Sequence, residues 1–163
     1  MRTIVLATQK GGSGKSTLAI GLAVAAMASG QRVALIEADQ QETVSNWGRR
    51  RTLPEPRIER VGSSTEIERA LVVLRRSGCT LAVIDTPATD NALSASAIAA
   101  ADICLIPARP SPADIEAALP TLATGSNSPE VTALVTTVRG QVSQLEQAFK
   151  ARIQVIEGIR IDY

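Results

Sequence analysis

The sequence predicts an α/β fold in which a mostly parallel, doubly wound sheet carries helices on both faces. Short apolar runs alternate with helical stretches along the chain, and the first of those runs is continuously apolar, as in strands covered on both sides. Size agrees. The 163 residues, 45% apolar and 20% charged, suit one packed domain and exclude a disordered tail, a fibre and a small disulfide scaffold.

Residues 3–7 are rich in β-branched side chains and read as the first strand. Residues 16–29, rich in Ala and Leu, read as a helix that Gly30 closes at a position needing positive φ. A second strand spans 32–36 and a helix 43–51, which the Pro54 and Pro56 pair ends. A weak third strand at 58–61 precedes a helix opened at Thr65, with Glu68 completing a capping box and Gly78 closing it. Residues 81–84 form a core strand that delivers Asp85 at its C-terminal end. A helix over 91–101 and a strand over 103–107 follow. Ser111, with Pro112 at the first helical position and Asp114 three beyond the cap, opens a helix of about three turns. The remainder reads as a loop at 125–129, a strand at 131–138, a helix at 142–151 and a short strand at 153–156. No repeat or long linker divides the chain, so residues 1–163 are expected to form a single domain.

Lys and Arg number 17 against 16 Asp and Glu, so net charge does not advertise nucleic acid or membrane. Arginine is the default cation, which makes Lys10 and Lys15 stand out beside the only other lysine, Lys150. Trp47, Phe149 and Tyr163 are the only aromatics, too few for base-stacking platforms. Cys79 and Cys104 lack metal-ligand spacing, and no histidine exists to help them, so buried thiols in a reducing cytosol are expected. The longest stretch of low polarity, 18–28, is about half the length of a membrane crossing. A soluble intracellular protein without a membrane partner is expected.

The strongest chemical signal is Lys10-Gly11-Gly12-Ser13-Gly14-Lys15-Ser16-Thr17, between the first strand and the first helix. Glycines there let backbone N–H groups converge on phosphate oxygens, and the helix N-terminus adds its positive dipole end. Lys15 can reach β- and γ-phosphates, and the Ser16 hydroxyl can ligate Mg²⁺. The strict pattern puts glycine where this chain has Gln9. The bland alternative is a glycine-rich turn capped by serine. Asp85, after its apolar strand, supplies a carboxylate for the magnesium, usually through a water, where otherwise it would only cap a turn. Glu37-Ala38-Asp39 closes the second strand, and a carboxylate there lies near the phosphates because such folds gather ligands at strand C-termini. Asp39 as a helix cap is the alternative.

Together these residues resemble the deviant Walker A ATPases of the ParA and MinD group, over residues 3–118. Lys10 to Thr17 match the family pattern in full, and Ile36-Glu37-Ala38-Asp39-Gln40-Gln41 match its Ile-Asp-x-Asp-Pro-Gln loosely. Ser45-Asn46-Trp47 with the following arginines is similar to short plasmid-type ParA proteins. Ile84-Asp85-Thr86-Pro87 and the 105–112 segment complete the likeness. The resemblance implies a three-layer P-loop NTPase binding ATP and Mg²⁺ through Lys10, Gly11, Gly12, Ser13, Gly14, Lys15, Ser16 and Thr17. By it, Lys10 reaches the partner's phosphates in a homodimer, Asp39 positions the attacking water, and Glu37 supports magnesium with Ser16 and Asp85. It further implies nonspecific DNA binding, a ParB-like adaptor, cargo segregation, and a cytoplasmic, nucleoid-associated protein. Related short proteins continue further, so the family's C-terminal helices are expected to be lacking here.

Arg49-Arg50-Arg51 is the one run of three like charges, read either as a DNA contact or as a solvated helix end suited to the dipole. Two other functions stay open: a non-catalytic nucleotide-binding or dimerisation module, which the Glu37 exchange favours, and a membrane-cycling ATPase of the MinD type. The latter would need a C-terminal amphipathic helix that the sequence does not offer. Nitrogenase iron-protein and dethiobiotin synthetase relatives fit less well, the first for its cysteines and the second because it would not need Lys10.

Overall fold

The computed structural model describes residues 1–89, 92–108, 112–124 and 131–135. Strand β1 (Arg2–Leu6) leads into α1 (Lys15–Ala28), β2 (Val33–Glu37), α2 (Thr43–Arg49), β3 (Arg57–Arg60) and α3 (Ser64–Arg76). Then come β4 (Leu81–Asp85), α4 (Ala92–Ala99), β5 (Ile103–Ala108), α5 (Pro112–Thr124) and β6 (Val131–Val135). The six strands lie in the order β3-β2-β4-β1-β5-β6, and every pairing between them is parallel.

Alternating side chains of each strand go to opposite faces, and both faces are covered. On one face Ile4, Leu6, Val33, Leu35, Leu81 and Val83 pack against Ala19, Leu22 and Ala23 of α1 and Val44 of α2. On the other, Val5, Ala34, Ile36, Ala82, Ile84 and Ile106 pack against Ile67, Leu71 and Leu74 of α3, Ile98 of α4 and Ala118 of α5. All residues of β2, β4 and β5 are buried, which explains why these strands show no polar alternation in the sequence.

The register decides where the site lies. Asp85 pairs with Leu6 of β1 on one side and with Glu37 of β2 on the other. Three strands therefore end level, and the loops at 7–14, 38–42 and 86–89 gather beside one another. The chain leaves β1 toward β2 on one side and later toward β5 on the other, which opens a crevice at the strand ends.

Sequence expectation and structure differ at α3. Its N-cap is Ser63, whose Oγ accepts from Glu66 N at 3.3 Å, while the Glu66 carboxylate accepts from Gly62 N at 2.6 Å. The capping interaction therefore sits two residues before Thr65 and Glu68. α2 ends at Arg49, two residues earlier than the expected 51. Cys104 is buried as expected, which pushes its thiol up to about 12, but Cys79 is only half-buried. The expected loop at 125–129, helix at 142–151 and strand at 153–156 lie outside the described residues.

Capping makes a direct test of the α3 boundary. Ser63→Ala should lower stability by about 1 kcal/mol in urea unfolding, whereas Thr65→Ala should leave it nearly unchanged. The reverse ranking would restore the later cap.

Candidate nucleotide-binding site

The loop between β1 and α1 is held open by two glycines with positive φ, Gly12 at 69° and Gly14 at 90°. Gly14 is the N-cap of α1, and no side chain caps that helix, so its first N–H groups are left for a ligand. A Cβ built on Gly11, Gly12 or Gly14 would meet no atom within 4 Å. The loop is thus a cradle with free space above it. The Ser13 hydroxyl is buried there without a hydrogen-bond partner.

The two lysines of the loop leave it differently. Lys15 is 6% exposed, and its ammonium donates to the Thr8 carbonyl at 3.3 Å and the Lys10 carbonyl at 3.4 Å. Burial lowers its pKa, and the charges of Asp85 and Asp39 work against that fall. Lys10 instead reaches out to Asp114 in the first turn of α5, at 2.9 Å. Sequence reasoning gave Asp114 only a place in that turn; nothing in the sequence pairs it with Lys10, which lies a hundred residues away.

Asp85 is the centre of charge. It is fully buried, and neither carboxylate oxygen has a hydrogen-bond partner. Burial raises its pKa to about 6, the charges of Asp39 and Glu37 push the same way, and Lys15 opposes them. The Ser16 hydroxyl also opposes the rise but makes no hydrogen bond of ordinary geometry to it. A buried carboxylate without donors is unfavourable, and a hard cation is the partner that relieves it. Among the described residues no three acidic, His or Cys side chains converge into a protein-only metal cage. Mg²⁺ takes one or two protein oxygens and fills its octahedron with water and phosphate. Asp85 and Ser16 fit that requirement.

The remaining expected site residues divide. Asp39 is half-buried at the site; its Oδ1 accepts from Gln41 N at 3.0 Å in a tight turn. It does not cap α2, whose N-cap is Glu42 with φ 54°. Thr17 is exposed on the first turn of α1. Glu37, expected to support magnesium, is hydrogen-bonded to α2 here. Its buried carboxylate accepts from Val44 N at 2.7 Å, from Ser45 N at 3.2 Å and from the Ser45 hydroxyl, so it holds the start of α2. The extra methylene of Glu over Asp provides the reach for this, and Ser45 is a site residue that sequence reasoning placed only by resemblance.

The three arginines of the run have different surroundings. Arg49 pairs with Glu42 at 2.9 Å and Asn46 at 2.7 Å. Arg51 lies over the Trp47 ring, 4.6 Å from its centroid, and donates to the Glu55 carbonyl at 3.0 Å. Arg50 is exposed at the C-cap of α2. Two of the three cations are therefore engaged locally, because the helix ends at Arg49 and the chain turns back on Trp47.

An N–H cradle facing an unpaired carboxylate across a parallel sheet is the arrangement of P-loop nucleotide-binding proteins, and the second lysine at the start of the loop narrows it to the ParA/MinD kind. The chain belongs to the VirC1 protein family, whose model it matches over residues 1–157. It is 37% identical over 126 residues to maintenance of carboxysome distribution protein A from Gloeobacter kilaueensis, covering 74% of this chain and 55% of that protein. The chain spans about half the length of the curated relatives it matches. Among solved structures, cobyrinic acid a,c-diamide synthase from Mycobacterium smegmatis with bound ATP analog and magnesium matches with a TM-score of 0.72 and 18% identity, over 96% of this chain and 83% of that one. The structure of pNOB8 ParA bound to nonspecific DNA matches with a TM-score of 0.67 and 18% identity, over 96% and 76%. These two likenesses show the fold. Among the described residues no helix is long and apolar enough to cross a membrane.

Asp85 gives a prediction with a defined sign. Its carboxyl moves from the ordinary 3.8 in the unfolded chain to about 6 when folded, so the folded chain binds the proton more tightly. Stability therefore falls as pH rises from about 4 to about 6, and the full penalty, roughly 3 kcal/mol, applies above that window. Asp85→Asn should stabilise the nucleotide-free chain in denaturant unfolding at pH 7.5 and make little difference near pH 4. Equal effects at both pH values would contradict the unpaired, charged state assigned to Asp85.

Proposed function

We propose that the chain binds ATP with Mg²⁺, dimerises in the ATP-bound state, hydrolyses the nucleotide and so works as a partition-type switch on DNA. The observation that carries this reading is the divergence of the two loop lysines. Lys15 is buried at the cradle, where a phosphate would replace the carbonyls it now contacts. Lys10 has a side chain 37% exposed and is not needed by an isolated phosphate loop. A second subunit's nucleotide is the target that gives it a use.

In this scheme Lys15 offsets the charge of the β- and γ-phosphates, and the loop N–H groups orient them. Mg²⁺, once bound, would neutralise charge developing between those phosphates. Ser16 and Asp85 are the residues that would hold it. Asp39 fixes the attacking water, since its second oxygen is free of the turn that holds Oδ1. Nonspecific DNA binding, a ParB-like adaptor that stimulates hydrolysis, and a nucleoid-associated cytoplasmic location complete the proposal, supported by membership of the VirC1 family and the ParA-like fold. Arg50 is the cation of its run free to meet phosphate, and dimerisation would duplicate it. One observation favours a second reading, a non-catalytic nucleotide-binding module: the Glu37 carboxylate is committed to α2.

Calorimetric titration with ATP and Mg²⁺ tests the cradle. Lys15→Ala should abolish binding, and unchanged affinity would remove the phosphate-loop reading. Lys10→Ala should keep monomer binding but form no dimer with a nonhydrolysable analogue in light scattering. A separate turnover assay addresses Asp39→Ala, which should hydrolyse ATP at least about a hundredfold more slowly while the dimer accumulates. If the unaltered chain binds ATP but releases no phosphate with or without DNA, the non-catalytic module is the better reading.

A further inference from the structure

The Lys10–Asp114 contact joins the phosphate loop to α5, the helix after β5. Asp114 is 5% exposed, and its Oδ2 lies 2.9 Å from the Lys10 ammonium. An exposed pair between flexible side chains contributes little, but one partner here is fixed in the first turn of a helix and removed from water. A buried carboxylate that loses its cation is strongly disfavoured, so the pair resists opening. The same lysine is the one that an ATP-bound dimer would send across to the partner's phosphates. An ammonium held by a buried carboxylate has less of its charge left to offer a partner's phosphates.

We propose that Asp114 is a positioning residue that latches Lys10 onto its own subunit in the nucleotide-free chain, so that dimerisation must exchange an intramolecular ion pair for an intermolecular one. This rests on the dimer reading given above. The latch gives the loop's second lysine a carboxylate within its own subunit, as Lys15 has the charges of Asp85 and Asp39. Phosphate charge from bound ATP is what makes the exchange favourable, since a polyphosphate with more than one charge competes well against a single carboxylate.

Two measurements test this. The first is a double-mutant cycle on the nucleotide-free monomer, with Lys10→Ala, Asp114→Asn and both together, read by denaturant unfolding. The pair predicts clearly non-additive losses, and additive losses overturn it. The second follows dimer formation by light scattering with Mg²⁺ and a nonhydrolysable ATP analogue. Asp114→Asn should dimerise at about threefold to tenfold lower protein concentration than the unaltered chain, as expected for release of one ion pair. Its affinity for ADP should stay the same. Asp114→Glu should restore the ordinary threshold. Asp114→Ser, which keeps an acceptor in the first turn of α5, serves if Asn impairs folding. Equal or weaker dimerisation in a folded, latch-free variant overturns the latch. Absence of any dimer, in the unaltered chain and all variants, instead overturns the dimer reading and the latch with it.

Discussion

A carboxylate that the fold buries without a donor makes the groups around it conditional on what arrives to neutralise it. Asp85 is that carboxylate, at the level end of β4 between β1 and β2, with neither oxygen hydrogen-bonded. The sheet explains why it is there. Residues 81–84 are buried on both faces, so the strand has no solvent side on which to place a charge, and the acid falls at the first position where the crevice opens. Lys15 answers it in part, and Asp39 and Glu37 add to its strain. The neighbouring loop is held open by its own backbone, through the positive φ of Gly12 and Gly14.

Neutralisation in the free chain is arranged by intramolecular substitutes. Lys15 donates to loop carbonyls, Lys10 to Asp114, and the α2 N-terminus to Glu37. Each of these contacts occupies a group that the family resemblance assigns to nucleotide or metal. The Glu37 contact differs from the other two because it is a helix cap: it ties α2 to the strand that adjoins Asp85 and leaves no carboxylate oxygen without a donor. The longer side chain of this residue lets it serve as scaffold beneath the site. Arg49 and Arg51 show the same economy on the surface, satisfied by Glu42 and Trp47 where the sequence displays a bare cationic run.

The sheet and the phosphate loop were legible in the sequence because both depend on local order. Continuous apolar runs identify doubly covered strands, and a glycine-rich segment between strand and helix has few other uses. Asp85 was legible for the same reason, as the residue that ends an apolar strand. What could not be read were contacts set by side-chain length and by distant elements. Glu37 and Asp39 are two residues apart with the same charge, yet one caps α2 and the other stays at the crevice. The α3 cap shifted because Ser63 and Glu66 form the same local pattern as Thr65 and Glu68, and propensity alone does not rank them. The partnership of Lys10 with Asp114 needs β5 and α5 in place before it exists.

The claim on which the rest depends is that a magnesium–nucleotide complex completes the charge at Asp85. Calorimetric titration of ATP into the chain at pH 7.5, once with Mg²⁺ and once with EDTA, tests it most directly. Affinity should be at least about tenfold higher with the metal, a difference of about 1.4 kcal/mol. The same affinity with and without Mg²⁺, or no binding in either, would contradict it.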